Sequence, residues 1–308
     1  MHHYSHHINN HHIDPQKASL MRWATYASVS VAFVLIIIKF YAWIVTDSVS
    51  LLSSLIDSSL DMIVSLINMM AIRYSLMPPD KEHRFGHSGA EDISALSQAA
   101  FIAGSALFII FNAAQRFLDP QLTEKSTLGI IVMVFSIFAT AALIIFQKYV
   151  VKRTKSTAVS ADSLHYVGDL GMNLSVIIAL ILSSKFGWKY ADPIFALGIA
   201  FYILYGAWEI GKMAFDKLMD KEFGEDERQK IKDLIRDHPG ALGIHDLKTR
   251  YSGVKPFIQF HLELNGKQQL YEAHEIADSL EKKLLEMFPG GEVVIHEDPV
   301  YQVVDDGE

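Results

Sequence analysis

LGIIVMVFSIFATAALIIF, residues 128–146, carries no charged side chain over nineteen positions. Coiled as a helix it is about 28 Å long, close to the hydrocarbon thickness of a bilayer. Five more stretches are long and apolar enough to be read the same way. They lie near 22–45, 51–74, 94–117, 161–183 and 191–215, and 127–151 completes the set. The second, third and fifth are the less apolar ones and carry Ser, Asn, Asp or His inside them. The chain of 308 residues is 50% hydrophobic and only 20% charged, with a mean hydropathy of +0.20. A soluble domain is nearer 25% charged, with its apolar residues interleaved at short spacing. Disordered chains, small disulfide scaffolds and ordinary cytosolic enzymes are excluded. The absence of cysteine also removes thiolate metal sites, disulfides and Cys nucleophiles.

Six spans place both termini on one side, and Lys and Arg decide which. Lys17, Arg22, Arg73, Lys81, Arg84, Lys148, Lys152, Arg153, Lys155, Lys212, Lys217 and Lys221 fall on one set of segments. The opposite loops carry Lys125, Lys185 and Lys189. The N-terminus, the 75–93 loop, the 152–160 loop and the C-terminal region are therefore expected in the cytoplasm. Residues 1–20 read as a His-rich cytoplasmic tail, 21–221 as the membrane domain, 222–301 as a cytoplasmic domain and 302–308 as a short tail. Residues 222–308 hold 10 basic against 19 acidic side chains, whereas residues 1–221 hold 17 against 16. An acidic face does not bind a phosphate backbone, so nucleic acid is not a partner.

The periodicity changes after Phe223. Residues 225–238 and 270–288 read as amphipathic helices stopped at Pro239-Gly240 and at Pro289-Gly290-Gly291. IHDLKTRYS (244–252), KPFIQFHLEL (255–264) and EVVIHEDP (292–299) read as strands. In the second strand Phe257, Gln259, His261 and Glu263 alternate with Ile258, Phe260, Leu262 and Leu264. Helix–strand–strand–helix–strand predicts a small α+β domain with an open sheet.

Ionisable groups inside a span are expensive and by default mark a site. Asp57 and Asp61 lie in span two, His165 and Asp169 in span five. Each pair is spaced i, i+4, which puts both side chains on one helix face. Two such helices facing each other offer three carboxylates and one imidazole. That is a ligand set for Zn²⁺, and its hard oxygens suit Mn²⁺, Fe²⁺ or Cd²⁺ as well. In the 75–93 loop, Asp80, His83 and His87 repeat metal-ligand spacing. His245, His261, His274 and His296 gather in the cytoplasmic domain with Asp298, and their grouping points to a metal cluster that Asp298 bridges. His238, at a helix end, has no such role. No His-Glu-x-x-His motif or histidine box supports an intramembrane metalloenzyme. A metal sensor would not need ionisable ligands inside the bilayer.

The motifs SLIDSSLD (54–61), HRFGHSGAE (83–91), ADSLHYVGD (161–169), HDLKTR (245–250), FIQFHLEL (257–264) and VVIHEDP (293–299) resemble those of the cation diffusion facilitator family. The resemblance runs from about Met21 to Val300. It implies an all-α six-helix transmembrane domain with a cytoplasmic ferredoxin-like α+β domain that pairs as a homodimer. It implies a divalent-metal/proton antiporter of the bacterial inner membrane, exporting Zn²⁺ with Cd²⁺ or Fe²⁺ as further cargo. Asp57, Asp61, His165 and Asp169 match the transport site, and Asp80, His83 and His87 a loop site. His245, His261 and Asp298 match one structural zinc position, while His274 and His296 with Asp298 match its neighbour. The chain departs from the family twice. The family loop motif has a Lys that pairs with an Asp at the position of Asp220, and Gly89 stands in its place. Lys81, Arg84 or Lys221 are the substitutes in reach by sequence. Glu297 replaces a neutral Gln of a close relative and is expected to add a carboxylate beside the cluster.

Overall fold

The computed structural model describes residues 13–118, 127–186, 188 and 190–300. Most of the His-rich start, Lys125, Lys189 and the 302–308 tail lie outside the described residues. Six long helices come first: α1 (Pro15–Thr46), α2 (Val49–Ser75), α3 (Gly89–Leu118), α4 (Thr127–Thr154), α5 (Thr157–Phe186) and α6 (Ala191–Leu218). All but α5 contain a stretch long and apolar enough to cross a membrane. Helix α5 has the length, but it carries Asp162, His165, Asp169 and Asn173. Two connections are tight. Asp47 between α1 and α2 and Lys155 between α4 and α5 take left-handed backbone, with φ of 50° and 56°. Their N–H groups bond back to Trp43 and Val151, which closes each preceding helix without a glycine.

The chain divides into two compact units. Residues 16–77 and 87–215 form the larger one, and 78–86 with the residues from 216 onward belong to the other. In the larger unit, α3, α5 and α6 meet along small side chains: Ala95, Ala99, Ala106, Ala161, Ala207 and Ala214 are buried. Lipid tails are as apolar as Leu, so membrane helices associate by close van der Waals approach, and small residues allow it. Gly206 is the tightest case. A Cβ there would sit 2.8 Å from a methyl of Leu164. Outward, Phe33, Ile37, Phe108, Phe138, Ile145 and Trp208 are exposed. An apolar surface of that extent fits a hydrocarbon solvent.

The smaller unit carries α7 (Glu225–Arg236), β1 (Gly243–Ser252), β2 (Lys255–Asn265), α8 (Leu270–Met287) and β3 (Glu292–Val300). The sheet order is β1-β2-β3, with β1 antiparallel and β2–β3 parallel. Ile258, Phe260, Leu262 and Leu264 are all at most 3% exposed. They pack under Ile231 and Ile235 of α7 and Ala277, Leu280 and Leu284 of α8. The alternation expected of β2 is thus present, and the helices cover one face only. Helix α8 opens on a capping box between Gln269 and Glu272. The predicted small α+β domain with an open sheet is what forms.

Candidate metal sites

Within the larger unit, α2 and α5 bring three of the four candidate ligands together. His165 Nε2 lies 3.1 Å from Asp61 Oδ1 and 3.7 Å from Asp169 Oδ2. Ligand atoms of these three residues all lie within 4.8 Å of one another. Bonds of about 2.0–2.2 Å in a tetrahedron would separate ligand atoms by about 3.4 Å, so small adjustments close this group on an ion. Asp57 stands outside that group but lines the same cavity of about 350 Å³. Gly168 and Ile203 help to wall the cavity, where α5 and α6 approach closely.

Lys39 and Asp162 are ionisable residues inside the spans that spacing alone does not single out. Lys39 of α1 lines the cavity and donates to Ser58 Oγ at 2.6 Å and to the Ser54 carbonyl at 3.3 Å. Asp162, one helical turn before His165, is 1% exposed and accepts from Ser28 at 2.6 Å and Gln147 at 2.7 Å. The signal was available: each is a charge in a span, the criterion that singled out Asp57 and Asp169.

The cytoplasmic candidates are placed by strand register. His245 faces His261 across β1–β2, and His261 faces His296 across β2–β3. The three imidazoles therefore form a row across the sheet on the face away from the helices. Ring centroids are 5.0 Å and 4.6 Å apart along it. Asp298, two residues beyond His296 on the same face, joins all three. Its Oδ2 is 2.8 Å from His261 Nδ1 and 3.1 Å from His245 Nε2, and its Oδ1 is 3.1 Å from His296 Nε2. The hydrogen bond from His261, helped by the charges of His296 and His245, holds the Asp298 carboxyl below the usual range. His245, His261 and Asp298 are the tight group. A bulge between His245 and Lys248 puts Asp246 in left-handed backbone at φ 49°. That turn brings Asp246 Oδ2 to 3.8 Å from His261 Nε2. Asp246 is also held below the usual carboxylate range, chiefly by its hydrogen bond from Lys248.

The remaining candidates lie away from these two groups. His274 is exposed on α8, in the layer that covers the other face of the sheet. Asp80 accepts from the backbone N–H groups of Glu82 and His83, and His83 Nδ1 is 3.6 Å from it. His87 opens the larger unit, is 5% exposed and meets the Tyr74 ring edge-on at 4.5 Å. Glu297 corrects an expectation. Side chains alternate along a strand, so Glu297 points opposite to His296 and Asp298 and pairs in register with core Leu262. It adds no carboxylate to the row. Asp220 is paired with Arg250 at 2.7 Å, and Lys221 bonds to Asp216. None of the three substitutes suggested for Gly89 takes Asp220 among the described contacts.

Comparison with known proteins places these features in one family. Residues 25–219 match the model of the cation efflux transmembrane domain, and residues 223–300 that of the cation efflux protein cytoplasmic domain. The chain is 46% identical over 287 residues to the cation-efflux pump FieF of Yersinia enterocolitica, covering 93% of this chain and 95% of that protein. It is 47% identical over 291 residues to the cation-efflux pump FieF of Pectobacterium carotovorum, covering 94% and 97%. A solved chain described as the metal-bound C-terminal domain of CzcD transporter from Thermotoga maritima is 26% identical. It covers 26% of this chain and 99% of its own length, with a TM-score of 0.24.

Proposed function

The chain belongs to the cation efflux family, and from that premise we propose that it exports Zn²⁺ from the cytoplasm in exchange for protons. Cd²⁺ and Fe²⁺ are the further cargoes its ligands suit. The observation that carries the reading is the convergence of Asp61, His165 and Asp169 in a cavity that Asp57 also lines. Three carboxylates and one imidazole are a divalent-ion set, and no His-Glu-x-x-His motif accompanies them. Rocking of the helices would open this site to each side in turn.

Proton coupling follows from ligand type. An imidazole changes charge near neutral pH, and clustered carboxylates away from water resist simultaneous ionisation. Metal binding must displace protons from such groups, so binding weakens as pH falls. An acidic exterior then favours release there, and protons return on the emptied site. The cytoplasmic row has a different task in this reading. Held by His245, His261 and Asp298, a structural Zn²⁺ would offset the repulsion between two acidic domains in a homodimer. His274 and His296 as a second position, and Asp80, His83 and His87 as a loop site, rest on sequence spacing and resemblance. The location is the bacterial inner membrane with both termini cytoplasmic.

The test is metal flux into sealed vesicles, ion by ion, with and without an imposed pH difference and with the membrane potential clamped. Export requires Zn²⁺ flux that rises with the gradient and moves protons in the opposite direction. Flux indifferent to the gradient, without proton movement, would mean a uniporter or channel.

A further inference from the structure

The cavity proposed as the transport site contains a cation that no metal ligation explains. Lys39 interrupts the run LIIIKFYAW, residues 35–43 of α1. An ammonium at membrane depth is costly and is kept where it has a partner or a task. Lys39 is tied to α2 through Ser58 and Ser54, the residues that flank Asp57 by one and three positions. These bonds go to a hydroxyl and a carbonyl, which leaves the carboxylate oxygens for an ion. Its side chain lines the same cavity as Asp57, Asp61, His165 and Asp169. The carboxylates that act on its charge are those of Asp61, Asp169 and Asp57.

Formal charge then decides what the site accepts. Among the side chains that line the cavity, three ionised carboxylates with a neutral imidazole carry −3, and the Lys39 ammonium reduces this to −2; Asp162 lies outside that lining, held by Ser28 and Gln147. A single divalent ion brings that set to zero. In a poorly solvated place an uncompensated charge is strongly penalised, so this match selects by valence. We infer that Lys39 is a specificity-determining counter-cation that sets the charge of the transport site to fit one divalent ion and reject a trivalent one. It acts as a fixed charge on a flexible stem, held 2.6 Å from Ser58 Oγ and not bonded to the cargo. The inference rests on the reading of this cavity as the metal site.

The experiment uses the full-length protein in detergent, with Cd²⁺ and the luminescent trivalent ion Tb³⁺, which has a similar radius. Binding that survives Asp169→Ala is subtracted, which isolates this cavity from the cytoplasmic row. Lys39→Gln and Lys39→Met remove the charge, and Lys39→Arg keeps it. In the neutral variants Cd²⁺ should bind on the order of tenfold more tightly, and Tb³⁺ should gain at least about tenfold more than Cd²⁺ does. Lys39→Arg should hold the native Tb³⁺ to Cd²⁺ ratio within about twofold. A side chain that merely props α1 against α2 would instead lower both affinities together. That result, or an unchanged ratio in both neutral variants, overturns the counter-cation role while leaving the metal site standing. Native protein showing no Cd²⁺ binding that Asp169→Ala removes would overturn the site and the inference together.

Discussion

The candidate ligands within the spans and the cytoplasmic row use the same chemical groups on opposite kinds of scaffold. Asp61, His165 and Asp169 are carried by two helices, α2 and α5, and face a cavity. The helices around them meet along alanines and glycines, surfaces that slide with little interlocking. His245, His261 and Asp298 are carried by three strands, locked by ladder hydrogen bonds above a core of Phe260, Ile258 and Leu262. A helix pair can change its spacing without breaking backbone bonds, whereas a strand register cannot shift without turning every side chain over. The first arrangement suits an ion that must be released, the second an ion that stays.

The sharpest way to break that contrast is to remove one ligand from each site. Asp169→Ala should lower vesicle metal flux by on the order of 100-fold or more, while the protein still inserts and dimerises. Near-normal flux would end the assignment. Phe260→Ala replaces no candidate ligand but empties a large, fully buried position under the row, at 0% exposure. It should cost about 3–5 kcal/mol of stability in the cytoplasmic domain. The Zn²⁺-dependent rise in its unfolding temperature should vanish, while Cd²⁺ binding that depends on Asp169 survives. His261→Ala deletes the middle imidazole and should abolish the thermal response to Zn²⁺ but reduce flux only several-fold. If unfolding of the native full-length protein ignores Zn²⁺, the structural-metal reading of the row is wrong.

The smallest effect concerns a histidine outside both sites. His238 Nε2 is 3.0 Å from Ser279 Oγ, and the residue is 9% exposed. Burial, reinforced by the Lys283 charge, pushes its pKa down from the ordinary 6.5. A depressed histidine contributes stability that is present above the unfolded value and is lost as pH falls through the folded one. Unfolding of the cytoplasmic domain should therefore become easier below about pH 6.5. His238→Asn should flatten that dependence and cost about 0.5–1.5 kcal/mol at neutral pH. A pH profile identical to the native one would remove His238 from the account and leave the metal-site histidines responsible.

The fold was legible because its signals are local. Apolar runs such as 128–146 need no partner to be read, and the alternation in KPFIQFHLEL fixed which face of β2 is buried. Domain-scale features of the site were legible too, since i, i+4 spacing already puts Asp57 with Asp61 and His165 with Asp169. Three things were not. Lys39 belongs to α1, and no spacing within one helix reveals that it shares a cavity with α2 and α5. Asp220 finds Arg250 thirty residues away, across a connection whose geometry sequence does not specify. Glu297 is a neighbour of His296 and Asp298 along the chain but not in space, because pleating turns it to the other face.

Sequence by itself determined the kinds of group available and their phase on each element, because helix and strand periods are properties of the local backbone. Only the tertiary structure decided which elements face each other. His245, His261 and His296 become one row through a register set by long-range pairing, and Asp298 can serve all three only from within that register. The same holds in the larger unit. Packing alone brings the Lys39 ammonium beside the cavity's carboxylates, because it arrives from a different helix.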